Sequence, residues 1–217
     1  MRLEPQKPER RAVERDEAAI ARCKHEAWPC VKNAPWMGVQ LVFVNDAGFR
    51  LPPTVRKTWC SVSQPPLVRY RNAPDRISAL SRIAVSPQRD HRPLYGHLYV
   101  DSIHDEEVAV FLRHLRRQNP GHRIGLLDNG GILRGKPIEA VLAPIARLHL
   151  EPLSPEAPKL HPDDGVGNPL KVCAANGRRD SQAELMDRLA DDVCRLPTSQ
   201  SLLRGYIERA ALPLFFL

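Results

Sequence analysis

The sequence has no apolar run long enough to cross a membrane and no apolar leader at its amino terminus. A membrane-spanning helix needs roughly 18 or more consecutive apolar residues, and Met1 to Pro5 carry charge where a signal peptide is apolar. None of the five cysteines forms a CxxC pair or stands at zinc-ligand spacing from histidines. The sequence therefore predicts a cytoplasmic protein in a reducing compartment, neither inserted in a membrane nor exported.

Lysine is scarce relative to arginine, and acidic residues are fewer than basic ones. The 217 residues include 32 Lys and Arg against 25 Asp and Glu, a formal net charge of +7, and 25 of the 32 cations are Arg. Arginine binds phosphate through two parallel donors, whereas lysine acts as a point charge. The surplus therefore favours a polyanionic partner such as nucleic acid. The codon bias of a GC-rich genome would give the same excess, so charge alone leaves both explanations open.

Proline is the residue in excess. Its count of 21 is roughly twice average usage, which predicts many short elements joined by stiff loops. The length fits one domain with an appended segment. Residues 3–27 are dense in charge and have too little apolar surface to fold alone. We therefore assign residues 1–37 to a charged helical linker and residues 38–217 to the folded domain.

The apolar pattern of the folded domain predicts a mixed sheet. Short β-branched and apolar runs, separated by proline-containing turns, predict an antiparallel meander; they cover residues 39–44, 55–62, 67–71, 76–85 and 94–100. Two further buried strands, at 124–127 and 148–150, alternate with helical segments. The predicted fold class is thus α/β, with an antiparallel meander followed by parallel strands, flanked by helices.

Acidic or amide side chains follow predicted strands, or lie in the loop after one, at three places: Asn45-Asp46, Asp128-Asn129 and Asp163-Asp164. Magnesium prefers oxygen ligands and is often held by a few carboxylates. Two such ions can stabilise both the attacking and the leaving oxygen of a phosphoryl transfer. Each pair alone is also a common turn sequence, so three unrelated turns are the alternative interpretation.

The same segments resemble the mariner-like insertion-sequence transposases of bacteria, which belong to the DDE endonuclease superfamily. Residues 41–49, LVFVNDAGF, are similar to the strand that carries the family's first catalytic Asp, and residues 54–59, TVRKTW, to the strand after it. Residues 126–130, LLDNG, resemble the second motif, and residues 157–166, APKLHPDDGV, the third. Residues 6–11, QKPERR, resemble the connector ahead of the catalytic domain. The resemblance covers essentially the whole chain.

The resemblance implies an RNase H-like fold in which three carboxylates bind two divalent ions, Mg²⁺ or Mn²⁺. Such enzymes cut DNA at transposon ends and join the 3′-hydroxyl to target DNA. Carried over by position, the second ligand is Asp128, the third is Asp164, and the first falls on Asn45. Asp46 is a substitute if the strand bulges locally. The implied partners are DNA, as transposon ends and target, and a second copy of the chain or an intact transposase.

Asn45 is the main departure from the family pattern. It offers a neutral carbonyl oxygen where a carboxylate is expected, and a unit charge at ~4 Å in an effective dielectric of ~20 corresponds to on the order of 4 kcal/mol. The third motif departs as well, with His161 in place of Asn and Gly167 in place of Trp. The resemblance does not extend to the family's helix-turn-helix region, so we expect residues 1–37 to be the linker left from it.

We therefore expect the catalytic domain of a DDE transposase that is truncated and catalytically impaired. The alternative is a non-catalytic relic of the same fold that binds DNA or another protein. A third interpretation is a different metal-dependent nuclease on the same scaffold.

Two smaller features each have two interpretations. Four arginines near a predicted helix end form either a phosphate-binding face or a solvated helix end: Arg113, Arg116, Arg117 and Arg123. The three tryptophans either stack on bases or pack in the core or at the domain edge, and we predict packing for Trp28, Trp36 and Trp59.

Overall fold

The computed structural model describes residues 17–22, 25–26, 28–52, 54–64, 66–69, 74–88, 92–118, 121–128, 135–143, 147–153, 162, 164–177, 181–195 and 199–210. In chain order the elements are α1 (Glu17–Arg22), α2 (Trp28–Asn33), a 3₁₀ turn (Ala34–Met37), β1 (Gln40–Arg50), β2 (Arg76–Val85), β3 (Leu94–Val100), α3 (Asp105–Gln118), β4 (Arg123–Asp128), α4 (Lys136–Leu142), β5 (Leu148–Leu153), α5 (Asp164–Cys173), α6 (Gln182–Arg195) and α7 (Gln200–Arg209).

The five strands form one mixed sheet in the order β3-β2-β1-β4-β5. Strands β1, β2 and β3 pair antiparallel, whereas β4 pairs parallel with both β1 and β5. The predicted antiparallel meander followed by parallel strands is therefore confirmed. Strand β1 is central, since it joins the antiparallel part to the parallel part.

The two halves of β1 have different surroundings. Residues 41–44 are buried on both faces, because helices cover both sides of the sheet there, and this explains the continuous apolar run. Beyond Asn45 the burial alternates: Ala47 and Phe49 are buried, whereas Asp46 and Gly48 are exposed. The carboxyl half of β1 is thus covered on one face only.

Helices α3 and α4 cover one face of the sheet, where Val42 and Val44 pack in a cluster with Leu112 and Ile138. Helices α2, α5 and α7 cover the other face at Phe43, through Trp28, Val166 and Leu203 among others. On the same side, α6 packs Leu185 and Leu189 against Phe49. None of the helices in the described ranges combines the length and apolar character needed to cross a bilayer.

The segment between β1 and β2 differs from the prediction of two strands at 55–62 and 67–71. The described residues of 54–69, here called the arm, have no regular secondary structure, and most of their side chains are exposed. The physical reason is that β1 pairs directly with β2 up to Arg50 opposite Arg76, so the sheet leaves no pairing position for the arm. Its β-branched residues favour a strand but do not supply a partner for one.

Candidate active site at the carboxyl end of β4

Asn45 and Asp128 follow two residues that are paired across neighbouring parallel strands. Val44 of β1 is in register with Leu127 of β4, so the next residue on each strand is Asn45 on one and Asp128 on the other. Neighbouring strands lie about 4.8 Å apart. Strand β4 ends at Asp128. The sheet therefore brings two of the predicted site positions together at one strand end, although they are distant in sequence.

The third position lies at the start of α5, and the first turn of this helix lies over β1. A methyl group at Gly167 would be in van der Waals contact with Cβ of Ala47, at 3.5 Å. Val166 packs in the same cluster as Phe43. Because alternate residues of a strand share a face, Asn45 lies on this face between Phe43 and Ala47. Helix α5 therefore begins, at Asp164, on the face of the sheet that Asn45 occupies.

Helix α7 holds the first turn of α5 in place. A methyl group at Gly165 would lie 2.6 Å from the ring carbons of Tyr206, so the Tyr206 ring packs directly against the backbone of α5 only because this residue is glycine. The Gly165 N–H donates to the Pro162 carbonyl at 3.0 Å. Burial raises the pKa of Tyr206, against a smaller opposing effect of Arg209. The position of Asp164 is thus set by its neighbour's contact with α7.

Asp46 lies on the other face of β1. The pairing of β1 with β2 runs without interruption through ten residue pairs, so the strand has no bulge at Asn45 or Asp46. Asp46 is exposed, whereas Asn45 is 9% exposed. The structure therefore brings Asn45, Asp128 and the start of α5 together and leaves Asp46 pointing away from them.

Several predicted site groups lie outside the described part of the chain. Residues 129, 161 and 163 are among them, and for Asp128 and Asp164 only the backbone placement is described. Among the side chains that are described, no group of three or more metal-binding residues occurs. In donor chemistry, the three positions offer two carboxylates and one amide carbonyl. This all-oxygen set fits Mg²⁺ or Mn²⁺, with one negative charge fewer than three carboxylates.

Sequence reasoning missed one contact that ties the arm to α5. Asn176 lies just beyond α5 and has a positive φ of 55°. Its side-chain amide bonds to both backbone polar groups of one arm residue. Its Oδ1 accepts from the Arg56 N–H at 2.8 Å, and its Nδ2 donates to the Arg56 carbonyl at 3.0 Å. An Asn after a helix is a common left-handed end residue, and this was the only signal in the sequence.

The fold is shared with solved structures of a mariner transposase. The mariner Mos1 paired end complex with Mg has a TM-score of 0.66 at 16% identity, covering 95% of this chain and 64% of that chain. The Mos1 strand transfer complex has a TM-score of 0.65 at 17% identity, with coverage of 95% and 63%. The Mos1 catalytic domain has a TM-score of 0.59 at 13% identity, with coverage of 94% and 92%.

The chain thus spans slightly less than two thirds of the Mos1 chains in the two complexes and nearly all of the catalytic domain. No family model matches the sequence, and no curated protein does. At these identities the likeness establishes the fold. The predicted RNase H-like fold is confirmed, in the form found in the mariner transposase catalytic domain.

Proposed function

We propose that this chain is a DDE-type transposase domain that acts on DNA and binds a divalent cation through Asn45, Asp128 and Asp164. The observation that carries the proposal is the convergence of three distant segments: Asn45 beside Asp128 in the sheet, and α5 beginning at Asp164 on the same face. Mos1, whose fold this chain shares, forms paired end complexes with Mg and with Mn.

The proposed roles follow from the side-chain chemistry. A bound divalent ion supplies Lewis-acid stabilisation for the oxygens of a phosphoryl transfer. Asp128 and Asp164 provide the two anionic ligands, and Asn45 provides a neutral carbonyl oxygen between them. Asp46 takes no part, because it lies on the opposite face of an unbulged strand. The wider positive charge of the chain, +7, attracts the DNA backbone towards the acidic site.

Asn45 makes this domain a weak catalyst in its present form. The missing charge corresponds to on the order of 4 kcal/mol, or roughly a thousandfold in binding or rate. A second candidate function follows from the same residue: a non-catalytic domain that binds DNA or pairs with an intact transposase. The two differ in whether a metal-dependent cut is made at all.

The test is metal affinity and DNA nicking in a set of single substitutions. Asn45→Asp is expected to raise Mn²⁺ affinity at least tenfold in calorimetric titration, and to raise Mn²⁺-dependent nicking of supercoiled plasmid. The gain should vanish when Asp164→Asn is added. Asp46→Asn is the matched control, since it removes one adjacent carboxylate on the other face, and it should change neither readout.

Three outcomes separate the alternatives. Nicking by the unmodified chain equal to that of Asn45→Asp would contradict impairment. A loss of Mn²⁺ binding in Asp46→Asn would identify Asp46 as the ligand. No effect of Asn45→Asp or Asp164→Asn on Mn²⁺ binding would remove the proposed metal site and leave the non-catalytic function.

A further inference from the structure

The carboxyl half of α3 carries three exposed arginines that share one surface. Arg113, Arg116 and Arg117 stand at i, i+3 and i+4, the spacing of neighbours on a helix. Together with Ala140 and Val141 of α4 they line a cavity of about 150 Å³. We call this surface the α3–α4 arginine groove.

The three arginines have no acidic partner within the described residues. The acidic residues of α3 are in its first turn, and Glu139 of α4 makes no ion pair with them. By contrast, Arg188 and Arg204 on the other side of the sheet each contact a carboxylate one helical turn later. Like charges at this spacing destabilise a helix. The helix dipole stabilises cations only within the last turn, so it does not stabilise Arg113.

Two further arginines lie beneath the same end of α3. Arg82 and Arg123 are each 3% exposed, so Arg123 is not part of the exposed face that the sequence suggested. The Arg82 guanidinium donates to Gln118, and Arg123 Nη1 donates to the Leu115 carbonyl at 3.4 Å. Nε of both arginines and Nη1 of Arg82 have no hydrogen-bond partner among the residues that the structure describes. Burial lowers the pKa of Arg82, and nearby Arg123 adds to this against an opposing effect of Tyr95. Positive charge is therefore concentrated at this end of the helix.

We propose that the α3–α4 arginine groove binds the phosphate backbone of duplex DNA, at a surface separate from the acidic site. Guanidinium groups pair with phosphate through two parallel hydrogen bonds. Arg113 and Arg117 are about 6 Å apart along the helix axis, which corresponds to about two nucleotide steps of one DNA strand at a rise of about 3.4 Å each. Contacts to phosphate alone carry no sequence preference.

The groove and the acidic site bind different DNA segments because the sheet lies between them. Helices α3 and α4 cover the face opposite α5. Arg123 begins β4 and Asp128 ends it, a separation of about 17 Å along the strand. The inference goes beyond the proposed function and does not require a working metal site.

The test compares two triple variants that remove the same charge. The groove variant combines Arg113→Gln, Arg116→Gln and Arg117→Gln. The control variant removes three cations from α5 and α7 by Lys171→Gln, Arg204→Gln and Arg209→Gln. Fluorescence anisotropy with a 30-base-pair duplex, in EDTA so that no metal contributes, gives the affinity over a range of salt. Each lost phosphate contact lowers the salt slope by about 0.9.

We expect the groove variant to lower the slope by about 2 to 3 and to weaken binding at least tenfold, while the control lowers the slope by less than 1. Urea unfolding verifies that both variants fold. Equal effects of the two variants, or no DNA binding by the unmodified chain, would overturn the proposal. Competition by millimolar inorganic phosphate as strong as that by an equal concentration of duplex phosphates would also overturn it, in favour of a small-anion site. Mn²⁺ affinity, measured in parallel, reports separately on the acidic site.

Discussion

Asn45 combines low exposure with a neutral side chain at the position proposed for the first metal ligand. A carboxylate that is 9% exposed pays a large desolvation cost unless a cation or several donors compensate it. The amide avoids that cost. An Asn at this position, which weakens the proposed metal site, therefore also avoids a source of instability in the metal-free protein.

Gly165, the residue after Asp164, packs closely against Tyr206 of α7. Because a Cβ at Gly165 would lie 2.6 Å from the Tyr206 ring, Gly165→Ala must displace α5 or the ring. We expect a loss of about 1–3 kcal/mol in the free energy of unfolding, typical of overpacking. Urea unfolding measures it. Ala is otherwise better than Gly in a helix by about 1 kcal/mol, so a net loss identifies the clash.

Gly205 of α7 provides the matched control for this substitution. Apart from its chain neighbours and the backbone of its own helix, no atom of the described residues lies within 4 Å of a Cβ at Gly205, so Gly205→Ala should leave stability unchanged or raise it by up to about 1 kcal/mol. In the background Tyr206→Ala the cost of Gly165→Ala should disappear, as a double-mutant cycle would show. Equal stabilities of the two glycine variants would contradict the proposed packing.

At the scale of elements, the base of the arm is held by one residue beyond α5, Asn176. The arm leaves β1 and returns to β2 without entering the sheet, and within the described residues its side chains Val55, Trp59, Val62 and Leu67 are exposed. Asn176 holds its base through the two bonds to Arg56, and the Asn176 N–H donates to the Thr54 carbonyl at 3.1 Å. The arm is thereby attached to the carboxyl end of the helix that begins at Asp164.

Removing the Asn176 side chain should release the base of the arm. In Asn176→Ala and in Asn176→Gly, we expect hydrogen exchange at the Arg56 amide to accelerate at least tenfold, because its acceptor is lost and local opening becomes easier. The Gly variant also relieves the positive φ, so it separates lost hydrogen bonds from backbone strain. The Gln40 amide, bonded to the His122 carbonyl, is the internal reference. Unchanged protection at Arg56 in both variants would disprove the contact.

An element can be predicted from sequence when its signal lies within its own residues, and not when it depends on which distant segment it contacts. The apolar runs at 39–44, 76–85 and 94–100 are local signals, and a strand is found at each of them. The arm was predicted wrongly because propensity does not reveal pairing. Trp28 is buried as predicted, but Trp36 and Trp59 are exposed, since burial depends on contacts that the sequence does not show.

The same limit applies to the candidate site. Asn45 and Asp128 could be placed together from sequence, because the carboxyl ends of parallel strands share one sheet edge. The contact of Gly165 with Tyr206 and that of Asn176 with Arg56 could not, because they join segments that no local pattern relates. The metal-binding roles of Asn45, Asp128 and Asp164 stay predictions.

For the molecule as a whole, the sheet separates two surfaces with different chemistry. The side covered by α3 and α4 carries the arginine groove, and the side covered by α5 and α7 carries the proposed acidic site. Cores pack densely, so a cavity made by a large-to-small substitution mainly disturbs the helices that line it. A cavity on the side covered by α5 and α7 should therefore disturb the proposed acidic site, and a cavity on the side covered by α3 and α4 should not.

Two leucine substitutions test this separation in the Asn45→Asp background. Leu112 of α3 and Leu203 of α7 are both almost fully buried, on opposite faces. Leu112→Ala and Leu203→Ala should each cost about 2–5 kcal/mol of unfolding free energy. Only Leu203→Ala should weaken Mn²⁺ binding, because Leu203 packs in the cluster that includes Val166 of α5. Calorimetric titration of the folded variants measures the effect, and equal losses of Mn²⁺ affinity would mean that the two faces are coupled through the sheet.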